Sequence, residues 1–222
     1  MTRTLDDARR WARLGTELFL KAADLDGDSA LPGWSRRHVV AHVAANADAL
    51  GNLVHWAATG EPTPMYSSPE ERAAGIEKGA RLPEAELLAW LRQSADSLAT
   101  GMDDLTDGQW RAEVVTAQGR TVQAAELPWM RAREVCVHAV DLANGVSFAD
   151  LPADFLTALC DDVVAKRAAA PGPAVSLRAP GAAWELPGNG EAALVTGELP
   201  TLAAYLTGRE AIPSAPTLGA WL

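Results

Sequence analysis

Glu134 and His138 lie four residues apart in the stretch LPWMRAREVCVHAVDLANG, residues 127–145. On an α-helix that spacing leaves both side chains on one face, about 40° apart in rotation. Arg131 falls on the same face one turn earlier and Asp141 one turn later. The residues between them, Val135, Val137, Ala139, Val140 and Leu142, are apolar, so the polar stripe runs into a core. A buried carboxylate and imidazole need a partner or a metal to offset their desolvation. The segment therefore reads as a metal-ligand helix that lacks a third donor.

The third donor comes from LPGWSRRHVVAHVAANADALGNLVHWAATG, residues 31–60, which reads as a helix capped by Ser35 after the break at Pro32-Gly33. Val39, Val40, Val43, Ala44, Ala47, Leu50 and Val54 form its apolar stripe, and His42 sits beside that stripe deep in the helix. His42, Glu134 and His138 together would make three N/O ligands from two helices, the composition of a catalytic zinc site with an open fourth position. Nickel, cobalt or iron suits the same donors. His38 could substitute for His42 on geometry but lies in the first turn, where exposure is expected, and His55 points nearly opposite. Asp141 is placed to orient His138, against the plainer reading of a surface ion pair. Cys136 sits at the wrong helical angle, and with Cys160 as the only other cysteine there is neither a disulfide framework nor a metal knuckle. Asp24–Asp28 resembles a calcium loop but lacks the glutamate at its twelfth position, so a polar turn is expected.

Around these residues the periodicity predicts four long helices: Thr4–Leu25, the segment 31–60, Pro83–Gly101 with Leu87, Leu88, Trp90, Leu91 and Leu98 as its buried set, and the segment 127–145. A short helix capped by Ser67 or Ser68 follows a Pro-rich loop, and Met65, Tyr66, Arg72 and Ile76 on it could roof a site between the helices. The segment 114–125 reads as a small hairpin around Gln118-Gly119-Arg120. Beyond Gly145 come one more helix, about Pro152–Ala170, three strand-like runs (174–179, 183–186 and 192–197) and a helix at Pro200–Leu206. The expectation is an α+β chain: a helical bundle in residues 1–149 and a small α/β C-terminal domain in residues 150–222.

The 222 residues, 48% of them hydrophobic, suffice for that core. A net charge of −10 argues against a nucleic-acid partner, which would need a basic face. No apolar run approaches the ~20 residues of a membrane span and the N-terminus is not signal-like, so no membrane partner and a cytoplasmic location are expected. A monomer is the default expectation.

Four segments in order, LPGWSRRHVVAHVAANADAL (31–50), MYSSPEERAAGIEKGA (65–80), LPWMRAREVCVHAVDL (127–142) and ELPTLAAYLTGRE (198–210), resemble the mycothiol-dependent maleylpyruvate isomerase family, within the DinB-like metalloprotein superfamily. The resemblance implies a DinB-like four-helix bundle with a small α/β C-terminal domain. It implies Zn²⁺ held by His42, Glu134 and His138, with mycothiol, a low-molecular-weight thiol, as cosubstrate. It also implies a functional arginine from the C-terminal domain, which falls on Arg209; its alternative part is a cation at a helix C-terminus. Many DinB-like members use three histidines where this chain has a glutamate, as the isomerase branch does. Arg131 and Arg133 are candidates to hold Glu134 or the acidic groups of the thiol. A metal site of this composition lowers the pKa of a bound thiol towards thiolate near neutrality. In the isomerase reading the thiolate adds to the cis double bond of maleylpyruvate and leaves after rotation, giving fumarylpyruvate. The same activation serves a thiol S-transferase acting on another electrophile, and a non-catalytic metal-stabilised binding module is the third reading.

Overall fold

The helix that carries His42 is fixed at both ends by local sequence. In the computed structural model, which describes residues 3–219 and 221, α2 spans Arg36–Thr59. Ser35 is its N-cap; the Ser35 backbone N–H donates to His38 Nδ1 at 3.2 Å, and the two side chains are 2.7 Å apart. Gly60 ends the helix in the left-handed region, where glycine carries no Cβ penalty. Three more long helices complete the bundle: α1 (Leu5–Ala22), α4 (Glu84–Asp103) and α5 (Leu127–Asp141). Thr4 and Asp7 form a capping box at the start of α1. The shorter α3 (Pro69–Ala80) follows Ser68 as its N-cap, with Pro69 in its first turn. Between α4 and α5 lies a small antiparallel hairpin, β1 (Glu113–Val115) and β2 (Thr121–Gln123).

The bundle pairs α1 with α5 and α2 with α4 most closely. Its core is apolar and fully excluded from water at Val39, Val40, Leu50, Leu53, Leu87, Leu127 and Val135. Burying each such side chain contributes roughly 1.5–3 kcal/mol. Helices α1 and α5 approach closely because position 15 is glycine. A Cβ there would lie 2.5 Å from Cys136 Sγ and 2.7 Å from Val135 Cγ2. Beside that crossing, Trp11 and Trp129 meet edge to face with ring centroids 5.8 Å apart. Two expectations need adjusting. Leu88 and Trp90 of α4 are only half-buried; the Trp90 indole reaches back to α2 and donates to Asp48 Oδ2 at 2.7 Å. The first helix stops at Ala22, and Leu25 is buried from the loop beyond it.

Arg36, the first residue of α2, clamps the end of α5. Its Nε donates to the Leu142 carbonyl at 2.8 Å and its Nη2 to the Ala143 carbonyl at 2.9 Å, while Nη1 holds the Asp26 carbonyl at 2.7 Å. These are carbonyls that a helix end leaves unpaired, and a cation there also opposes the helix dipole. Ala143 itself has φ 51°, a left-handed conformation that alanine adopts only under constraint. The clamp fixes the start of α2 against the end of α5, the two segments on which His42 and His138 stand.

The chain divides into compact units between Val146 and Ser147. The second unit contains α6 (Ala153–Ala168), a three-stranded sheet and α7 (Leu199–Leu206). The strands are β3 (Pro173–Ala179), β4 (Ala182–Leu186) and β5 (Asn189–Thr196), in the order β4-β3-β5. β3 pairs antiparallel with β4 and parallel with β5. Alternate residues Val175 and Leu177 of β3 are fully buried, in a sheet whose one face meets α6 and α7. Trp184 of β4 donates to Asp161 Oδ1 of α6 at 2.6 Å. The link from β4 to β5 is only Pro187-Gly188, and it must cross the start of β3 to reach that strand's far edge. A Cβ on Gly188 would lie 2.3 Å from the carbonyl carbon of Pro173 and 2.5 Å from Ala174 N, so only glycine fits the crossing.

Candidate metal centre

Glu134 Oε2 lies 3.1 Å from His42 Nε2 and 3.3 Å from His138 Nε2. One ligand atom from each of the three residues falls within 4.8 Å of the others, the one such cluster of three among the described residues. Local structure explains the convergence. The i, i+4 spacing on α5 stacks Glu134 over His138, and the clamp at Arg36 brings α2 alongside. The imidazoles of His42 and His138 cross at 90° with centroids 4.8 Å apart. His42 is 5% exposed.

The hydrogen bonds assign the protons. Asp141, fully buried, accepts from His138 Nδ1 at 2.8 Å, which leaves His138 Nε2 facing Glu134. Burial pushes the Glu134 carboxyl up, but the hydrogen bonds from His138 and His42 outweigh it and hold the group well below the usual carboxylate range. Burial also opposes charge on His138, yet the bonds to Asp141 and Glu134 win and raise it to about 9. His42 moves the other way: its burial is the largest effect and favours the neutral ring. The centre therefore combines an ionised carboxylate, one neutral imidazole and one imidazole held by a second carboxylate.

Two groups surround His42 that its own helix does not supply. Arg72 of α3 reaches His42 Nδ1, with Nη2 3.3 Å away, and lies over the Tyr66 ring at 5.8 Å. Of the suggested roof residues Arg72 thus touches a site residue directly, while Met65 and Ile76 are buried. Trp34, just before the N-cap, sets its ring edge-on to His42 with centroids 5.5 Å apart. Nothing in the periodicity pointed to Trp34, because its contact depends on the turn that precedes α2.

The other sequence candidates have partners of their own. His38 is occupied as the partner of Ser35 and lies 3.5 Å from Glu77. His55 has a half-exposed side chain near Glu61. Arg131 is 3% exposed, and its Nη1 donates to the Val43 carbonyl at 2.8 Å and to Asn46 Oδ1 at 3.0 Å. Burial lowers its pKa to about 10, still a cation at neutral pH. Arg209 follows α7, donates to the Thr207 carbonyl at 2.7 Å and lies over the Trp221 ring at 5.8 Å. Cys136 faces α1, its Sγ 3.9 Å from the Trp11 carbonyl, and burial raises both Cys136 and Cys160 to about 12. Neither cysteine is an available thiolate near neutrality. None of the described helices is long and apolar enough to cross a membrane.

Comparison with known proteins covers the helical bundle that holds the cluster. The family profile described as mycothiol maleylpyruvate isomerase N-terminal domain matches residues 5–143, which include all three cluster residues. A solved structure of a mycothiol-dependent maleylpyruvate isomerase is 35% identical, with a TM-score of 0.89 over 98% of this chain and 100% of that one. A mutant of a mycothiol-dependent maleylpyruvate isomerase, with one histidine replaced by alanine, is 34% identical at a TM-score of 0.90 with the same coverage. No curated protein sequence matches the chain.

Proposed function

The chain belongs to the mycothiol maleylpyruvate isomerase family, and from that premise we propose that it is a zinc-dependent enzyme that uses mycothiol to convert maleylpyruvate into fumarylpyruvate. The observation that carries the metal part of this reading is the meeting of two imidazole nitrogens and a carboxylate oxygen within 4.8 Å of one another, with His42 buried and the other two largely so. That donor set suits a borderline-soft divalent cation, and its three donors leave a position open for a ligand. When bound there, zinc would act as a Lewis acid that draws an incoming thiol towards thiolate near pH 7.

The chain's own residues do the rest. His42, Glu134 and His138 hold the ion, and Asp141 keeps the His138 ring turned so that Nε2 faces the site. The thiolate sulfur of mycothiol adds to one carbon of the cis double bond, and the electron pair moves into the conjugated carbonyl. Rotation about the resulting single bond and return of that pair expel the thiolate and leave the trans isomer. The enzyme needs no thiol of its own, in keeping with the burial of Cys136 and Cys160. Arg72 and Arg209 are the proposed partners for substrate carboxylates, each with a planar fork suited to a carboxylate.

The test is zinc content and mycothiol-dependent loss of maleylpyruvate absorbance, measured on one preparation beside His42→Ala. About one zinc per chain with turnover, both lost in the variant, is the expected result. Zinc without isomerisation overturns the substrate assignment and leaves thiol transfer to another electrophile. Carefully purified protein that binds no metal overturns the metal centre.

A further inference from the structure

On the side of α5 that faces α1 and α4, a cavity of about 200 Å³ opens between the helices. Ala12, Leu20, Ala95, Leu98 and Met102 form much of its wall, and Arg131 is the buried charged residue that lines it. At its mouth Arg9 and Arg13 stand against Glu17, Asp96 and Asp103, with Asp103 2.6 Å from Arg9 and 3.9 Å from Arg13. The mouth is therefore close to charge balance, while the inner end is cationic.

Arg131 is only half used by the bundle. Its Nη1 meets two neutral acceptors, the Val43 carbonyl and the Asn46 side chain. Among the described residues, Nε and Nη2 have no hydrogen-bond partner and no carboxylate lies within ion-pair distance. The carboxylates whose charge reaches it are committed elsewhere: Glu134 to His42 and His138, and Asp48 to the Trp90 indole. Neither nitrogen is fully enclosed, so both reach the cavity, and an anion there would complete the shell of a cation that the fold otherwise keeps from water. Nε and Nη2 are the side edge of the guanidinium, whose two parallel N–H groups match a carboxylate.

We propose that this cavity is a second ligand site, separate from the His42–Glu134–His138 centre, for a small monocarboxylate with an apolar body about the size of a six-membered ring. The carboxylate meets Nε and Nη2 of Arg131, and the body lies against Leu98 and Met102. Size sets the class, since a cavity of about 150 Å³ already holds a benzene ring. A chain of more than a few additional carbons would protrude past the charged mouth.

Calorimetric titration of the full chain with benzoate, beside isosteric neutral benzamide, tests this. Benzoate is expected to bind one to one and at least tenfold tighter than benzamide, equally in metal-stripped protein and in His42→Ala. Ala95→Leu, which fills the cavity from an apolar wall, and Arg131→Met are each expected to weaken benzoate at least tenfold. If Arg131→Met does not fold, Ala95→Leu decides. Equal binding of the two probes, undiminished binding to Ala95→Leu, or loss of binding in His42→Ala would each overturn the proposal.

Discussion

Asp141→Asn isolates what a fully buried carboxylate does for the histidine it holds. Asp141 is fully buried and accepts from His138 Nδ1 at 2.8 Å. Replacing it with asparagine keeps size and shape and removes one charge. The amide then has two choices. If its oxygen stays towards the ring, Nδ1–H still has an acceptor, but the imidazole loses the charge that makes Nε2 a strong donor to a cation. If the amide turns its NH₂ to the ring, Nδ1 must give up its proton and Nε2 takes it, which blocks the very nitrogen that faces Glu134. Both outcomes weaken metal binding. Removing such an outer partner typically costs 10–100-fold in metal affinity, about 1.4–2.8 kcal/mol at tenfold per 1.4 kcal/mol. Competition for Zn²⁺ against a chromogenic chelator at pH 7 reads this directly. Thermal stability does not, because the metal-free variant also loses the ion pair between Asp141 and His138. A zinc affinity within twofold of wild type, in a variant with unchanged circular dichroism, would refute the reasoning and leave Asp141 a packing residue.

Gly15→Ala puts a methyl group 2.5 Å from Cys136 Sγ at the α1–α5 crossing; a loss of about 1–3 kcal/mol is expected from urea denaturation, as for other overpacked cores. An unchanged midpoint would mean that the two helices slide apart freely. Cys136 and Cys160, both buried and both raised to about 12, are expected to resist a disulfide thiol reagent in the native protein and to titrate as two thiols in denaturant. A rapidly reacting native thiol would reopen the question of a protein nucleophile.

What was legible in the sequence was mostly what helices encode locally. Ser35 before an apolar run marked the start of α2, and the four-residue step from Glu134 to His138 placed two donors on one face before any fold was known. The strands around Val175, Trp184 and Val195 were legible as three strand-like runs, although β5 begins at Asn189, ahead of the run expected at 192–197. The alignment of His42 with that face was another matter. Ninety-two residues separate His42 from Glu134, and periodicity fixes neither how α2 and α5 are rotated nor how they are staggered. Donor chemistry nominated His42 and the family resemblance repeated it, but neither fixes how the two helices meet; the Arg36 clamp that realises the pairing had no signature of its own. The same limit hid the contacts that come from the side. Arg72 reaches His42 from a separate helix, Trp34 from a turn, and Arg131 sends its Nη1 to acceptors on α2 when its position on α5 pointed equally towards Glu134. The error at Leu88 and Trp90 has the same root, since a helical stripe says which residues are apolar but not how wide the facing groove is.

The two-residue passage at Pro187-Gly188 carries a consequence for how the C-terminal sheet assembles. Parallel strands ordinarily require a crossover of about a dozen residues or more, which delays their pairing until distant chain segments meet. Here the strand between β3 and β5 in the chain is β4, already folded back on β3 as an antiparallel hairpin. Hairpins of this kind close in roughly 1–10 μs. Once β4 has turned back, its end lies beside the start of β3, and Gly188 lets the next residues swing across that end onto the vacant edge. Pairing of β5 is therefore expected to follow the hairpin, after which it has almost no distance to search. The assembly order is written into the chain path, and a nascent chain holds every strand it needs as soon as Thr196 has been added.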